Sequence, residues 1–417
     1  MNEKKGRLDV LNRLSVITSN KGISILNPPA SPGSHCPMHT ALAIVRGVKG
    51  ISTLVVGIPE CGYYSRYVVR NKAEEKELHH TYVLDENEVV FGCREGVMEA
   101  LHEMNREGAE AILVIMTCIP ELIGEDIKSI VHEMQDMIDS KILPVSIPHY
   151  KHNGYETGYT YTMQSFINLM EERTTNPSQV NILGNVKGAD VDTIRTVLEG
   201  KFSINEMGQP LNLESFRAAP AGKVNLVFSR FAVSLAEEME QKYKIPWISF
   251  YDSYTTEDIN ACYKQLEDIL EVNINNRFEP VRKAISEKEE YLFHTIAGIK
   301  YISTDAGIDT LAIADYLKNL GFEPELLHLE EYERRDKVIQ ERILESNYNP
   351  YVCYVSNIQD LDRYIGELEA RFSLGGVGNG LQEKGIKGIP IRMLGGLTGY
   401  DRTLKLLELL TGALITN

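Results

Sequence analysis

The sequence predicts the α/β class, with parallel sheets covered by helices and spread over two or three domains. Short apolar runs alternate with helix-spaced apolar stripes through most of the chain, the pattern of strands joined by crossover helices. The fullest run, AILVIM at 111–116, has no polar residue on either face, as a strand covered on both sides requires. The length sets the domain number: 417 residues exceed what one compact core accommodates.

Residues 1–30 are polar with scattered apolar positions and read as an extension with a short helix around Val10–Val16. In SPGSHCPMHTALAIVRGVKG, Cys36 precedes Pro37, and Ala41, Ile44 and Val45 give a helical stripe that ends in glycines. STLVVGIPECGYYSR reads as a strand running into a Gly/Pro turn that carries Cys61. The charge-dense stretch Lys72–Leu78 follows, and His79–His80 beside it reads as a solvated pair. Val89–Val131 then reads as strand, turn, helix, strand, turn, helix, with a cysteine at each turn. Val97, Met98, Leu101 and Met104 share one face of its first helix, and Gly108 stops it. Cys118 falls at the carboxyl end of the strand Ala111–Met116. Pro120 sits in the next helix's first turn, where its missing N–H costs nothing. Ile123, Ile127, Ile130 and Met134 form that helix's buried stripe. Leu143–Ile147 is a further strand, and PHYKHNGYETGYTYT reads as a Gly/Tyr-rich loop whose tyrosines Tyr155, Tyr159 and Tyr161 lie on the surface.

The first domain closes near residue 172, so its expected span is 1–172. A second, 173–272, opens on the linker Asn176–Ser178. It carries strands at Val180–Leu183, Val224–Phe228 and Trp247–Phe250, with helices at Val191–Leu198, Leu235–Tyr243 and about Thr256–Glu271. The third, 273–417, starts with a charged helix near Pro280–Tyr291. Strands at Lys300–Ser303, Glu325–His328 and Tyr351–Val355 and a helix at Thr310–Leu320 follow. No repeat with a period of about 20–50 residues interrupts this alternation.

The formal charge of −16 argues against nucleic acid or an anionic membrane as partner, since both are polyanions. No apolar run approaches the roughly 18 residues of a membrane-spanning helix. The start MNEKKGRLDVLNRL has no apolar core followed by a cleavage site. Six cysteines in this length are not a disulfide scaffold. A cytoplasmic protein is expected.

Cys36, Cys61 and Cys118 share a context, each in a turn that opens a helix or ends a strand. Their spacings of 25 and 57 residues exclude a sequence-local zinc ribbon or ferredoxin-type run. Two readings follow. They are small, partly buried hydrophobes, or folding brings them from several strand ends onto an iron–sulfur cluster. Their place in turns, and for Cys118 at a helix N-terminus that favours thiolate, supports the second.

CPMHTALAIVRGV, GIPECGYYSR, VFGCREGVMEAL and TCIPELIGEDI together resemble the successive cysteine motifs of nitrogenase component 1-like oxidoreductases. That family holds nitrogenase MoFe protein subunits, cofactor-assembly scaffold subunits, dark-operative protochlorophyllide reductase and the nickel-tetrapyrrole reductive cyclase. MEQKYKIPWISF and KGIPIRMLGGLTGYDRTL extend the resemblance over nearly the whole chain. It implies three Rossmann-like domains, the first of them cluster-binding, and a dimer with a like subunit, either a homodimer or a paralogous heterodimer. It also implies an iron–sulfur cluster bound by Cys36, Cys61 and Cys118, either 4Fe–4S or a larger 8Fe cluster shared at the dimer interface. An ATP-dependent iron–sulfur reductase partner would deliver electrons. The absence of a GxxxxGK[ST] phosphate loop agrees with ATP hydrolysis belonging to that partner.

The departures are as informative. The family's cofactor-holding cysteine is placed at Ala236 and its histidine at Gly395, so reduction of a substrate other than dinitrogen is expected. Cys93 stands where relatives have glycine. It reads either as a further cluster ligand or as a small residue in a helix's first turn, and the second is favoured. Family placement puts Phe91 near the docking face for the reductase. His35 and His39 flank Cys36 and either tune or ligate the cluster or make simple hydrogen bonds, and His149 and His152 follow a strand as substrate contacts or exposed loop residues; the second reading is favoured for each pair. Cys262 and Cys353 read as core, and GGVGNG at 375–380 as a tight turn, not a dinucleotide fingerprint. The expected function is therefore the catalytic component of a two-component reductase. The alternative is a scaffold for assembling a complex metallocluster.

Overall fold

The computed structural model describes residues 8–26, 36–46, 48–69, 77–152, 154–171, 176–208, 210–305, 309–364 and 366–414. The chain forms two compact units, Gly33–Asn185 with Gly200–Trp247, and Met1–Pro32 with Val186–Glu199 and Ile248–Asn417.

The first of these units contains the cysteine-bearing sheet. Its strands lie in the order His79–Val83, Ile51–Gly57, Ala111–Met116, Lys141–Ser146, and every pairing is parallel. Ala111–Met116 is buried along its whole length, which is why its sequence is uninterrupted aliphatic. Each of the side chains from Ile112 to Met116 contributes roughly 1.5–3 kcal/mol by leaving water. Helix Arg94–Arg106 packs Val97, Leu101 and Met104 onto the sheet, and helix Ile127–Gln135 packs Ile127, Ile130 and Met134. Asp126 caps the second helix by accepting from the backbone N–H of Lys128 and Ser129.

The same unit's other sheet lays Gln179–Leu183 between Ser203–Met207 and Val224–Val227, parallel to both. Asn181 pairs in register with Asn205 on one side and Asn225 on the other. Their side-chain amides hydrogen-bond across the strands, Asn205 Nδ2 to Asn181 Oδ1 at 2.9 Å and Asn181 Nδ2 to Asn225 Oδ1 at 2.8 Å. Asn181 Nδ2 also donates to the Ala219 carbonyl at 2.9 Å.

In the second unit, Lys300–Ser303, Glu323–His328, Tyr351–Val355, Phe372–Leu374 and Lys387–Ile389 form one parallel sheet. The chain's beginning joins it. Asn12–Arg13 pairs antiparallel and Ser24–Leu26 parallel with Tyr351–Val355. The expected helix around Val10–Val16 is replaced by the 3-10 turns Leu8–Val10 and Leu14–Val16 on either side of the short strand. Leu8, Leu11 and Leu26 are buried in that sheet's core, so burial against distant strands outweighs local propensity.

Asp190 joins two helix starts in this unit. Its Oδ2 accepts from the Tyr400 N–H at 2.8 Å and from the Tyr263 hydroxyl at 2.9 Å, and its Oδ1 from the Asp401 N–H at 3.2 Å. Asp401 reciprocates by accepting from the Asp190 N–H at 2.8 Å. Each carboxylate thus caps the other's helix, Ala189–Leu198 or Gly399–Leu414. Burial, then the Asp401 charge, pushes the Asp190 carboxyl up to about 7 against the pull of its three donors. Gly399 has φ +53°, and a Cβ there would meet Asp190 Oδ2 at 2.2 Å, so this turn admits only glycine. No described helix is long and apolar enough to cross a membrane.

Candidate functional site

Cys61 and Cys118 leave the carboxyl ends of neighbouring parallel strands, where Val56 and Met116 are in register. That is the end of an open α/β sheet at which ligands bind. Cys61 lies in the first turn of helix Pro59–Val69, and Cys118 opens the short helix Cys118–Leu122. Thr117 joins the two strand ends. Its hydroxyl donates to the Val56 carbonyl at 2.8 Å and accepts from the Cys61 thiol at 3.5 Å. A Cβ on Gly57 would sit 2.3 Å from Thr117 Oγ1 and 3.0 Å from Cys61 Sγ, so glycine is required for this close approach.

Cys36 is the N-cap of helix Pro37–Val45, with Pro37 at the first helical position. Burial pushes its thiol up to about 12 against a backbone bond from Met38, and the charges of Cys118 and Cys61 add to the rise. Charge on Cys61 or Cys118 thus reaches the Cys36 sulfur. The Cys36 helix is held by Thr40, whose single hydroxyl proton is shared between the Pro37 and Tyr155 carbonyls, 2.9 and 2.8 Å away. Gly158, in helix Glu156–Ser165, approaches so closely that a Cβ would meet Thr40 Oγ1 at 2.0 Å and the Pro37 carbonyl at 2.1 Å.

Among the described residues, no three His, Cys, Asp or Glu side chains converge on a point that could hold a single metal ion. A cluster is a body of several atoms whose thiolates surround it, so it does not need that convergence. Three soft sulfur donors at helix starts suit iron–sulfur ligation in kind. One sulfur already has a backbone donor: the His149 N–H points at Cys118 Sγ from 3.2 Å.

Cys93 does not join this group. It is 1 % exposed and packs in the core with Val97 and Met116. Its N–H donates to Glu125 at 2.8 Å, and burial, then Glu125, pushes its thiol up to about 12. The stretch before it, expected as strand, is the helical turn Glu88–Phe91. Phe91 is 85 % exposed, and Val90 and Leu122 are also exposed.

Ala236 is fully buried inside helix Val233–Tyr243, so a donor there would point into packing. The end of the preceding strand Val224–Val227 is followed by Phe228 and Ser229, neither of which is a strong metal donor. Gly395 ends the 3-10 turn Ile391–Leu394. His39 lies in the helix that Cys36 caps, its ring edge-on to Tyr64 at 6.2 Å, and burial lowers its pKa. His35 lies outside the described residues.

His79 corrects the reading of a solvated pair. It is in strand His79–Val83, with Nδ1 2.7 Å from Thr53 Oγ1 and Nε2 3.1 Å from Ser65 Oγ. Ser65 Oγ also donates to the Gly62 carbonyl at 3.0 Å. The ring therefore donates from Nε2 and accepts at Nδ1, pinning the Cys61 helix to two strands. Burial, with the Arg66 and His80 charges, lowers its pKa to about 4. His80 instead faces Glu107 at 3.3 Å. The expected Gly/Tyr loop is partly the helix Glu156–Ser165, and Tyr159 stacks on Phe231 with ring centroids 4.9 Å apart. Cys353 is buried in its strand, whereas Cys262 is partly exposed and donates to the Ser249 carbonyl at 3.0 Å. Sequence reasoning gives no role to Thr117 or to the His149 backbone amide, and it takes His79 for a solvated residue. Only Thr117, adjoining Cys118 at a strand end, carried a local signal.

Residues 36–415 match the family profile described as nitrogenase component 1 type oxidoreductase. The nitrogenase iron-molybdenum cofactor biosynthesis protein NifE of Nostoc sp. is 25% identical over 78% of this chain and 71% of its own length. The nitrogenase molybdenum-iron protein alpha chain of Klebsiella pneumoniae is 24% identical over 90% of this chain and 84% of its own. The solved structure titled "Nitrogenase Cp1 at pH 6.5" superposes with a TM-score of 0.67 at 17% identity, covering 92% of both chains, which is a likeness of fold. The chain belongs to the nitrogenase component 1 type oxidoreductase family.

Proposed function

We propose that this chain is the cluster-bearing catalytic component of a two-component reductase, and that Cys36, Cys61 and Cys118 hold its iron–sulfur group. The observation that carries the reading is geometric: Cys61 and Cys118 follow the ends of neighbouring parallel strands and meet at Thr117, and Cys36, at the start of a third helix, lies close enough to feel the charge of both. A bound iron–sulfur cluster would supply one-electron transfer at low potential. The protein's part is to present three thiolates at helix starts, to aim the His149 N–H at one of them and to hold Cys61 against the Thr117 strand end. An ATP-dependent iron–sulfur reductase would dock on the exposed face that includes Phe91, Val90 and Leu122, and a like subunit would complete the assembly. With Ala236 and Gly395 as they are, the substrate is not dinitrogen.

A second reading, a scaffold on which a metallocluster is assembled as cargo, draws support from the similarity to proteins named for iron-molybdenum cofactor biosynthesis. Anoxic purification and reconstitution test the shared premise. The native chain should bind iron and acid-labile sulfide, and C36A, C61A and C118A should each lose most of that uptake. Equal uptake by all three variants would remove the proposed ligand set. Turnover of a small molecule with reductase and ATP then supports the reductase reading, and release of a preformed cluster to an acceptor protein supports the scaffold.

A further inference from the structure

A side chain from the Cys118 helix itself ties down the turn that faces Cys118. The 3-10 turn His149–Lys151 follows strand Lys141–Ser146, and its His149 N–H donates to Cys118 Sγ at 3.2 Å. The next two side chains, Tyr150 and Lys151, both donate to Glu121, one to each carboxylate oxygen. Glu121 lies three residues after Cys118 in helix Cys118–Leu122, so latch and sulfur ride on one rigid piece of backbone. Within the turn, the Lys151 N–H bonds the Pro148 carbonyl at 3.0 Å and the His152 N–H bonds the His149 carbonyl at 3.2 Å. A pull on residues 150 and 151 is therefore felt at the amide of 149.

The latch is only partly shielded. The Glu121 side chain is 20% exposed and the Lys151 side chain 52%, so the ionic attraction alone is weak in water. Two charge-assisted hydrogen bonds from adjacent residues to one carboxylate are stronger than that attraction and fix direction as well. Beyond the turn, His152 Nδ1 pairs with the Thr157 hydroxyl at 3.1 Å.

We infer that Glu121 is a positioning residue: by gripping Tyr150 and Lys151 it keeps the His149 amide on the Cys118 sulfur and so sets the reduction potential of the iron–sulfur group held there. This rests on the reading of Cys118 as a cluster ligand. An N–H donated to a ligating sulfur offsets negative charge and favours the reduced, more negative state. Loss of that donor moves the potential down.

The test uses the full-length chain and the variants E121A, E121Q and Y150F, each checked for native circular dichroism and melting temperature. In the cluster-free protein, deuterium exchange of the peptide containing His149 should be several-fold faster in E121A than in the native chain. E121Q should fall between, because its amide oxygen still accepts from Tyr150 while the charge facing Lys151 is gone. Y150F should give a smaller increase and serves alone if E121A does not fold. After reconstitution, a titration followed by electron paramagnetic resonance should place the E121A midpoint below the native one, with E121Q between. Unchanged exchange in E121A and Y150F overturns the latch. Faster exchange with an unchanged midpoint overturns its effect on potential. A native chain that takes up no iron or sulfide overturns the cluster reading, while the exchange result still decides the latch.

Discussion

Replacing Asp190 with alanine removes one acceptor from three donors at once. The Tyr400 N–H, the Asp401 N–H and the Tyr263 hydroxyl all end on its carboxyl group, and Asp190, Tyr263 and Tyr400 are each at most 1% exposed. A buried donor left without a partner costs about 1–3 kcal/mol. Three of them put the loss at roughly 3 kcal/mol at least, against a typical total stability of about 5–15 kcal/mol. D190N keeps the shape and one carbonyl oxygen, which continues to serve the Tyr263 and Tyr400 donors, so its cost should be about 1–2 kcal/mol. The two variants also differ from the native chain in pH dependence. The Asp190 pKa is raised from 3.8 to about 7 on folding, so between these values the folded state holds the proton more tightly than the unfolded one. The native carboxyl therefore contributes most stability below about pH 4 and loses that contribution as pH rises toward 7, a decline absent from D190N. Urea unfolding at pH 5 and 7, with deuterium exchange read on the Gly399–Leu414 helix, measures both effects. A urea midpoint for D190A equal to the native one, or native and D190N chains with parallel pH profiles, would show that the Asp190 carboxyl does not hold these donors.

Two other substitutions probe the cysteine-bearing unit. Gly158→Ala places a methyl group 2.1 Å from the Pro37 backbone carbonyl, which a side-chain adjustment cannot relieve. It should shift the Cys36 helix and lower iron retention after reconstitution several-fold, whereas retention equal to the native chain would show that this close approach does not set the site. Asn181→Leu strips partners from Asn205, Asn225 and the Ala219 carbonyl and should cost roughly 2–5 kcal/mol. A melting temperature within a degree of native would count against the buried amides being interdependent.

Features with a local cause were legible in the amino-acid sequence. Ala111–Met116 announces a doubly covered strand because every residue in it is apolar, and Pro120 and Gly108 mark helix boundaries through their own backbone constraints. The position of Cys118 follows directly, since it stands two residues past that strand. Features with a distant cause were hidden. The pairing of Ser24–Leu26 with Tyr351–Val355 joins residues more than three hundred positions apart, and no periodicity encodes it. His79 looked solvated beside a charged stretch because the two residues that hold it, Thr53 and Ser65, are contributed by other elements. The glycine, threonines and tyrosines of Glu156–Ser165 predict a loop, and burial of Thr157, Gly158, Thr160 and Thr162 in the helix outweighs their poor helical propensity.

The row formed by Asn205, Asn181 and Asn225 has a consequence for how its sheet assembles. Aliphatic strands such as Val180–Leu183 and Val224–Val227 tolerate many alignments, because one branched side chain packs much like another. An amide does not. Sliding Val224–Val227 by one residue would set Asn181 against Val224 or Leu226 and strand its polar atoms in hydrocarbon, and sliding Ser203–Met207 would set it against Ile204 or Glu206 and break the amide pair. The three asparagines thus act as a proofreading tooth, rejecting misaligned strands during folding at the cost of a core less oily than it might have been.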